Sequence, residues 1–204
     1  MTRIIAGRAR SVRLSVPSVG TRPTSERVRE ALFSTLDAWD AISGAHVLDL
    51  YAGSGALGLE AASRGASSVV LVERNAKAAG LCRTNAAAVQ RALGPRPTPI
   101  DVSTRSVRAH LTTATPPVDL VLVDPPYDVS EQDIADDLAA IARLLSAGGV
   151  IVVERSSRSP EPTWPTGIEA IRKRAYGETT LWFAESPAPE SDEAERSETS
   201  RASD

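Results

Sequence analysis

From residue 45 onward two kinds of segment alternate, and this alternation constrains the fold most. Nearly continuous apolar runs, typical of buried strands, cover residues 45–51, 68–73, 118–123 and 149–154, and the less apolar segment 98–102 is predicted as a further strand. Amphipathic or alanine-rich segments, typical of helices, separate them at residues 56–64, 76–92, 107–111 and 131–145. Strands that are apolar on both faces belong in a parallel sheet that helices cover on both sides. We therefore predict an α/β domain built on a mostly parallel sheet.

Further elements flank this region. Residues 168–176 and 179–184 are predicted to form an antiparallel hairpin around Gly177 and Glu178, which brings the sheet to seven strands. A helix is predicted from Ser25 to about Trp39. Its apolar face carries Val28, Ala31, Leu32 and Leu36. We expect three parts, which are an N-terminal arm (residues 1–24), a domain that includes this helix (25–184) and a C-terminal tail (185–204).

Charge is distributed unevenly between the two ends of the chain, although the formal net charge is only −3. Residues 1–30 contain seven arginines and two glutamates, whereas residues 185–204 contain seven acidic residues and two arginines. A basic arm indicates a polyanionic partner, unless the segment is merely solvated. The tail has too few apolar residues to offset the entropy lost on ordering, so we predict that it is disordered.

The composition suits a globular protein of a reducing compartment. A hydrophobic fraction of 42% supports one sizeable core, and the single cysteine, Cys82, excludes an internal disulfide. No apolar run reaches the ~18 residues that cross a membrane, and the N-terminus has no signal-peptide pattern. We expect a cytoplasmic protein without a membrane partner. His46, His110 and Cys82 lack metal-ligand spacing, so no metal site is predicted.

A glycine-rich turn follows the first predicted strand. The sequence Gly53-Ser54-Gly55-Ala56-Leu57-Gly58 matches G-x-G-x-x-G between a strand and a helix. Glycines at these positions permit a tight turn and a close approach of the backbone to a ligand. The pattern alone suits NAD, FAD or S-adenosylmethionine, so the neighbouring acidic residues have to distinguish them.

Asp49 and Glu73, at the ends of the first two strands, favour S-adenosylmethionine. The Glu73 carboxylate can accept hydrogen bonds from both ribose hydroxyls, which suits NAD equally well. A carboxylate at Asp49 would repel a pyrophosphate but attract the ammonium and sulfonium of S-adenosylmethionine, unless it only caps the following turn. The other expected contacts come from the same loop and from the segment after the third strand, where the adenine would lie: Tyr51, Gly53, Ser54, Gly55, Ser106 and Val107.

The tetrapeptide Asp124-Pro125-Pro126-Tyr127 follows the most apolar strand, at the edge of the sheet where ligands bind in open α/β folds. An exocyclic amine of guanine or adenine is a poor nucleophile because its lone pair is delocalised into the ring. Acceptors at Asp124 and the Pro125 carbonyl can hold that lone pair towards a methyl group. The prolines stiffen the turn, and Tyr127 offers a ring on which a base can stack. We predict methyl transfer to a flipped-out base.

These residues give the chain a resemblance to a known family. It resembles the bacterial 16S ribosomal RNA guanine-N2 methyltransferases of the RsmD type, over about residues 1–184. Besides the cofactor turn and the tetrapeptide, the resemblance rests on the segments 3–5, 21–24, 27–33 and 48–65. The most specific part is residues 22–33, because other S-adenosylmethionine enzymes lack it. The arm departs from the family around Ser11 and Val12, where the family is richer in glycine and more basic.

The resemblance implies a Rossmann-like class I methyltransferase fold and transfer of one methyl group to N2 of a guanine in 16S ribosomal RNA. The substrate it implies is an assembled or partly assembled 30S subunit, and we expect the enzyme to be a monomer. The catalytic role falls on Asp124, Pro125, Pro126 and Tyr127. Contacts to the RNA fall on the arginines of the arm and the first helix: Arg3, Arg8, Arg10, Arg22, Arg27 and Arg29.

Four alternatives are less well supported. A DNA adenine-N6 methyltransferase uses the same tetrapeptide, but 204 residues leave no room for a separate target-recognition domain. A protein-glutamine methyltransferase would more often have asparagine at position 124. A non-catalytic, S-adenosylmethionine-binding ribosome assembly factor would not need an intact tetrapeptide. An NAD dehydrogenase is disfavoured by Asp49.

Overall fold

The computed structural model describes residues 2–16 and 25–188. Its helices are α1 (Glu26–Ala38), α2 (Ala56–Ser63), α3 (Ala76–Leu93), α4 (Val107–Leu111) and α5 (Glu131–Ala142). Its strands are β1 (Thr2–Arg3), β2 (Arg13–Leu14), β3 (His46–Leu50), β4 (Ser68–Val72), β5 (Ile100–Ser103), β6 (Val118–Val123), β7 (Leu145–Ser156), β8 (Glu169–Tyr176) and β9 (Thr179–Glu185). No helix of the described part is long and apolar enough to cross a membrane.

Seven strands form one sheet in the order β5-β4-β3-β6-β7-β9-β8. The first five strands of that order are parallel, and β9 pairs antiparallel with both β7 and β8. The predicted α/β fold with a C-terminal antiparallel hairpin is therefore confirmed. From β3 the chain first adds β4 and β5 on one side and then β6 and β7 on the other, so the strand order reverses between β3 and β6. The carboxyl ends of β3 and β6 therefore lie at a topological switch point.

The boundary between α5 and β7 differs from the expected one because β7 starts earlier along the chain. The predicted helix 131–145 ends at Ala142, and β7 begins at Leu145 rather than at residue 149. Leu145 pairs with Val118, and the register then shifts so that Val150 pairs with Leu120. The first residues of β7 therefore belong to the sheet even though they continue the helical apolar pattern.

Two hydrophobic cores cover the two faces of the sheet. One lies between the sheet and α1, α2 and α3, and it includes Leu32, Leu59 and Val89. The other lies between the sheet and α4 and α5, and it includes Leu111 and Leu138. Leu122 of β6 faces the first core and Val123 faces the second, as the alternation of side chains along a strand requires.

The N-terminal segment differs from the expected arm. Residues 2–16 contain the two-stranded sheet β1–β2, and Ile4, Ala9 and Leu14 are buried in the same core as α1 and α2. The described part of the segment is thus packed onto the domain. At the other end, β9 continues to Glu185, one residue into the expected tail. Arg22 and residues 189–204 lie outside the described residues.

Candidate active site

A cavity of about 470 Å³ opens at the carboxyl ends of the parallel strands. Its floor contains residues from the ends of β3, β4, β6 and β7, which in that order are Asp49, Glu73, Asp124 and Glu154. The N-terminal segment and α1 form part of its wall through Thr2, Val16 and Arg29. The glycine turn and the tetrapeptide, predicted separately from the sequence, therefore lie in one cavity.

The glycines allow α2 to start close to the sheet. Gly55 is the N-cap of α2 in a left-handed conformation with φ of 78°, which glycine adopts readily. Gly58 lies in the first turn of α2, and a Cβ at this position would lie 2.5 Å from Cδ2 of Leu71 and 3.1 Å from Cβ of Asp49. The absence of a side chain at Gly58 therefore lets the helix N-terminus pack directly against β3 and β4.

Three side chains hold the turn between β3 and α2. The Gly53 amide donates to Oε2 of Glu73 at 3.0 Å, and the thiol of Cys82 donates to the Gly53 carbonyl at 3.2 Å. Burial raises the pKa of Cys82 to about 12, so the group remains a protonated donor. Nδ2 of Asn85 donates to the carbonyls of Ser54 and Ser15, both at 2.9 Å. Asn85 thus links the cofactor turn to the N-terminal segment.

Asp49 is 1% exposed, and its Oδ2 accepts a hydrogen bond from the Gly58 amide at 2.8 Å. Burial raises the pKa of Asp49 to about 7; the carboxylates of Asp124 and Glu73 add to the rise, and the Gly58 hydrogen bond opposes it. Asp49 therefore both lines the cavity and caps the start of α2. Its position is compatible with both interpretations of the sequence, which were a contact to a cationic ligand and a cap of the following turn.

Tyr51 is held in a left-handed conformation with φ of 61°, and its hydroxyl donates to Oδ2 of Asp137 on α5 at 2.6 Å. Burial and this hydrogen bond raise the pKa of Tyr51, and burial also raises that of Asp137. The bond crosses from one end of the cofactor loop to a helix 86 residues later. It fixes one wall of the cavity.

Glu73 and the segment after β5 form the side of the cavity beyond β3. Besides the Gly53 amide, Glu73 accepts a hydrogen bond from the Asn75 amide at 2.6 Å through Oε1. A carboxylate has about four acceptor sites, which leaves two for a diol. Ser106 caps α4 by accepting a hydrogen bond from the Ala109 amide at 3.2 Å, and both Ser106 and Val107 line the cavity.

The tetrapeptide leaves β6 directly over the cavity. The Asp124 amide donates to the carbonyl of Leu50 at 3.5 Å, which ties it to the end of β3. Pro125 is buried, whereas the ring of Tyr127 is 69% exposed and lines the cavity. An exposed ring at a cavity mouth is unusual for a packing residue and suits stacking of a planar ligand.

Arg155, which the sequence did not single out, braces the loop after the tetrapeptide. It follows Glu154 on β7, is 7% exposed, and its Nη2 contacts Oε1 of Glu131 and the carbonyl of Val129. The side chain therefore joins β7 to the start of α5. Its signal in the sequence is only a charged pair directly after the apolar run of β7.

The arginines predicted to contact RNA do not form one uniform group. Arg3, Arg8, Arg10 and Arg27 are exposed; Arg3 forms an ion pair with Glu26 at 2.8 Å, and Arg8 donates to the carbonyl of Leu93. Arg29 is only 1% exposed, so its expected place on an outer RNA-docking surface is wrong.

Arg29 instead lines the inner wall of the cavity. Its Nη2 donates a hydrogen bond to the Arg3 carbonyl at 2.6 Å. Burial lowers the pKa of Arg29, and the carboxylates of Glu60 and Glu26 oppose that change. Arg29 therefore joins α1, the N-terminal segment and the cavity.

No group of three or more His, Cys, Asp and Glu side chains within residues 2–16 and 25–188 is arranged to hold a metal ion. Four carboxylates lie at the strand ends on the cavity floor, and four arginines also line the cavity: Arg29, Arg74, Arg108 and Arg155. The surface formed by Asp49 and Glu73, beside the glycine turn, suits a cationic ligand.

Comparison with protein families matches residues 2–185 to the model described as "Conserved hypothetical protein 95". Two similar proteins are both named ribosomal RNA small subunit methyltransferase D. The one from Escherichia coli K12 is 34% identical over 177 residues, covering 86% of this chain and 85% of the relative. The one from Haemophilus influenzae is 33% identical over 178 residues, covering 86% and 89%.

The structure is also similar to that of yhhF from Escherichia coli. The two superpose with a TM-score of 0.79 and 30% sequence identity, covering 92% of this chain and 98% of the other. The likeness therefore extends over the N-terminal segment, the sheet and the hairpin.

Proposed function

This chain belongs to the RsmD family of methyltransferases, whose family model is "Conserved hypothetical protein 95", and on that premise we propose that it transfers a methyl group from S-adenosylmethionine to N2 of a guanine in 16S ribosomal RNA. The observation that carries the proposal is the meeting of two sites in one cavity. Leu50 of β3 pairs with Val123 of β6, so the cofactor loop and the tetrapeptide begin side by side.

The residues around the glycine turn fit S-adenosylmethionine. Gly53 and Ser54 of the turn line the cavity, and the Asp49 and Glu73 carboxylates provide an acidic surround. When bound, this cofactor supplies a methyl group that is already activated on a sulfonium. Glu73 holds the ribose hydroxyls, Asp49 attracts the cationic end, and Tyr51, Gly53 and Ser54 shape the loop.

Ser106 and Val107, where α4 begins, would hold the adenine. Since these two residues line the cavity on the side of β5, they are well separated along the sheet from the tetrapeptide on β6. Glu73 at the end of β4 and Asp49 on β3, which lie between these two sites, would hold the ribose and the cationic end of the cofactor.

Asp124, Pro125, Pro126 and Tyr127 position the acceptor base. The Asp124 carboxylate and the Pro125 carbonyl accept hydrogen bonds from the exocyclic amine and hold its lone pair towards the methyl group. Tyr127 stacks on the base, which contributes roughly 1–3 kcal/mol. A base within a helix would have to be extruded to reach this cavity, at a cost in free energy, so we expect a target guanine in a loop or junction. Asp124 takes the released proton after transfer.

The RNA approaches on the side of the cavity formed by the N-terminal segment. Arg3, Arg10 and Arg27 are exposed on the N-terminal segment and α1 and suit contacts to phosphates, which makes binding salt-dependent. The substrate that we propose is the small subunit, assembled or partly assembled, because its folded RNA presents several phosphates to these side chains at once. The enzyme acts as a monomer in this proposal.

The deciding experiment offers radiolabelled S-adenosylmethionine together with four competing acceptors, namely unmethylated 30S particles, naked 16S ribosomal RNA, duplex DNA and total protein. Labelled nucleosides are then identified by mass spectrometry. Label in N2-methylguanosine, mainly from 30S particles, supports the proposal. Label in N6-methyladenine would assign the chain to the DNA enzymes. Absence of label together with measurable cofactor binding would favour an assembly factor without catalysis.

A further inference from the structure

Glu154 lies beside Asp124 on the neighbouring strand. Val123 of β6 pairs with Val153 of β7 in parallel register, and each of the two carboxylates comes one residue later. Both valines face the core of α4 and α5. Since side chains alternate along a strand, Asp124 and Glu154 share the opposite face, and both line the cavity.

We propose that the Glu154 carboxylate accepts a hydrogen bond from N1–H of the target base and thereby selects guanine. This inference rests on the proposed methyl transfer to N2 of guanine, and it assigns the choice of base to a residue outside the tetrapeptide. Strands in a sheet are about 4.8 Å apart, so both side chains can reach neighbouring groups of one base.

The tetrapeptide itself does not distinguish the bases. It offers acceptors to an exocyclic amine, and guanine, adenine and cytosine all carry one. The bases differ in the ring atoms beside that amine. Guanine has the N1–H donor next to its N2 amine, whereas the adenine amine has only acceptors, N1 and N7, on its two sides, and the cytosine amine adjoins the acceptor N3. A carboxylate beside the amine site therefore pairs with guanine and repels the other two bases.

The position of Glu154 suits this role. It is held within the sheet, because β7 pairs with β6 on one side and Glu154 itself pairs with Leu181 of β9 on the other. Its side chain is partly exposed, so it reaches the cavity and keeps contact with solvent. Pairing on both sides fixes the backbone of Glu154 relative to the end of β6. Rigid placement of a hydrogen-bonding group is what makes a site reject an analogue that lacks the matching N–H.

The side chain of the next residue, Arg155, forms its contacts away from Glu154. Arg155 points towards Glu131 and the Val129 carbonyl, on the side of the sheet that packs against α5. Its contacts brace the loop after the tetrapeptide and leave the edge of the base to Glu154. Arg155 is thus a positioning residue for the loop, and a separate variant can test that role.

The test uses small ribosomal subunits that lack the modification, with either the mapped target guanine or an adenine at that position. We compare kcat/KM of the wild type, Glu154→Gln and Glu154→Ala, with Glu169→Gln as the control for loss of a charge on an exposed strand of the same sheet. We expect kcat/KM of Glu154→Gln to fall about 10- to 100-fold on guanine particles, as for loss of a charged hydrogen bond. Because the glutamine amide can donate to N1 of adenine, the ratio of kcat/KM on guanine to that on adenine should fall at least ~10-fold.

Glu154→Ala should lose activity on guanine without gaining any on adenine, and both variants should keep the wild-type affinity for S-adenosylmethionine. Discrimination that Glu154→Gln leaves unchanged, or an equal loss on both particles, would overturn the inference. If the wild type formed no N2-methylguanosine, the proposed function would fail as well, so the two failures are distinguishable.

A second measurement needs no variant. Guanosine monophosphate and its N1-methyl derivative are compared as competitive inhibitors of the wild-type enzyme. We expect the N1-methyl compound to bind at least ~10-fold more weakly, because it has lost the proposed donor and adds a methyl group against the carboxylate. Equal inhibition constants would contradict the role of Glu154.

Discussion

The carboxylate of Glu60 on α2 accepts a hydrogen bond from the backbone amide of Ile5 at 2.7 Å, across 55 residues of sequence. Its other oxygen accepts from the Ala6 amide at 3.0 Å and from Nε of Arg64 at 2.8 Å. Glu60 is fully buried. One acidic side chain therefore attaches the N-terminal segment to the domain, and through that segment it places Thr2 and Val16 in the cavity wall.

Replacing Glu60 with alanine should release this attachment. Two part-buried amides and Nε of Arg64 would lose their acceptor, which costs about 1–3 kcal/mol for each unsatisfied group. We expect a lower free energy of unfolding and a larger loss of affinity for 30S particles than for S-adenosylmethionine. Denaturant titration and binding of both ligands measure this. Glu30→Ala, at an exposed position of α1, is the matched control, and equal effects of the two variants would contradict the assigned role.

Gly58 and Gly80 form a contrasting pair of helical glycines. Gly58→Ala places a Cβ 2.5 Å from Leu71 and 2.9 Å from Val69, so we expect a loss of about 1–3 kcal/mol in stability together with weaker cofactor binding. Gly80 in α3 has no atom within 4 Å of the equivalent position, so Gly80→Ala should stabilise the protein by about 0.5–1 kcal/mol. Thermal or denaturant unfolding compares them. Similar effects of the two substitutions would show that helix propensity, not close packing, determines the outcome.

The raised pKa of Asp49, about 7 against an ordinary 3.8, predicts how cofactor binding depends on pH. A cationic ligand favours the ionised carboxylate, so the affinity for S-adenosylmethionine should rise with pH up to about 7 and then level off. Calorimetric titration between pH 5.5 and 8.5 measures the slope. Asp49→Asn should bind more weakly and lose the slope, and a variant that retained the wild-type slope would assign the titration to another group.

The same shift has the opposite sign for the stability of the free protein. Between the two pKa values the folded state holds a proton that the unfolded state has released. Its stability therefore falls as pH rises from about 4 to about 7 and no longer depends on Asp49 above that. At pH 8 the free Asp49→Asn protein should unfold at a higher temperature than the wild type. A lower unfolding temperature would mean that the amide fails to replace the hydrogen bond to the Gly58 amide.

Asp124→Ala should separate binding from catalysis. Asp124 follows β6 and is tied by its backbone to Leu50, whereas the cofactor loop has its own contacts to Glu73, Cys82 and Asn85. We expect the variant to keep its affinity for S-adenosylmethionine and to lose at least ~10²-fold in turnover. Single-turnover assays with 30S particles measure this. Unchanged turnover would refute the catalytic assignment.

Elements whose information is local could be predicted from the amino-acid sequence. Continuous apolar runs such as Val118–Val123 identify buried strands, and the turn from Gly53 to Gly58 and the tetrapeptide at Asp124 each have a physical reason within a few residues. Because carboxyl ends of parallel strands meet at one edge of the sheet, their order along the chain was enough to predict that the two motifs share a site. The hairpin followed in the same way from two runs separated by Gly177 and Glu178.

Contacts between residues far apart in the sequence could not be predicted and are known from the folded chain alone. The attachment of Ile5 to Glu60, the link from Asn85 to both Ser15 and Ser54, and the bond from Tyr51 to Asp137 each join residues 31 to 86 positions apart. Arg29 was assigned to the RNA-docking surface, although its helical spacing places it on the same face of α1 as Leu32, Phe33 and Leu36. The N-terminal segment packs over that face, and the Arg3 carbonyl accepts a hydrogen bond from Arg29. A periodic pattern describes one element against water, whereas the burial of a charge depends on which other segment packs over it.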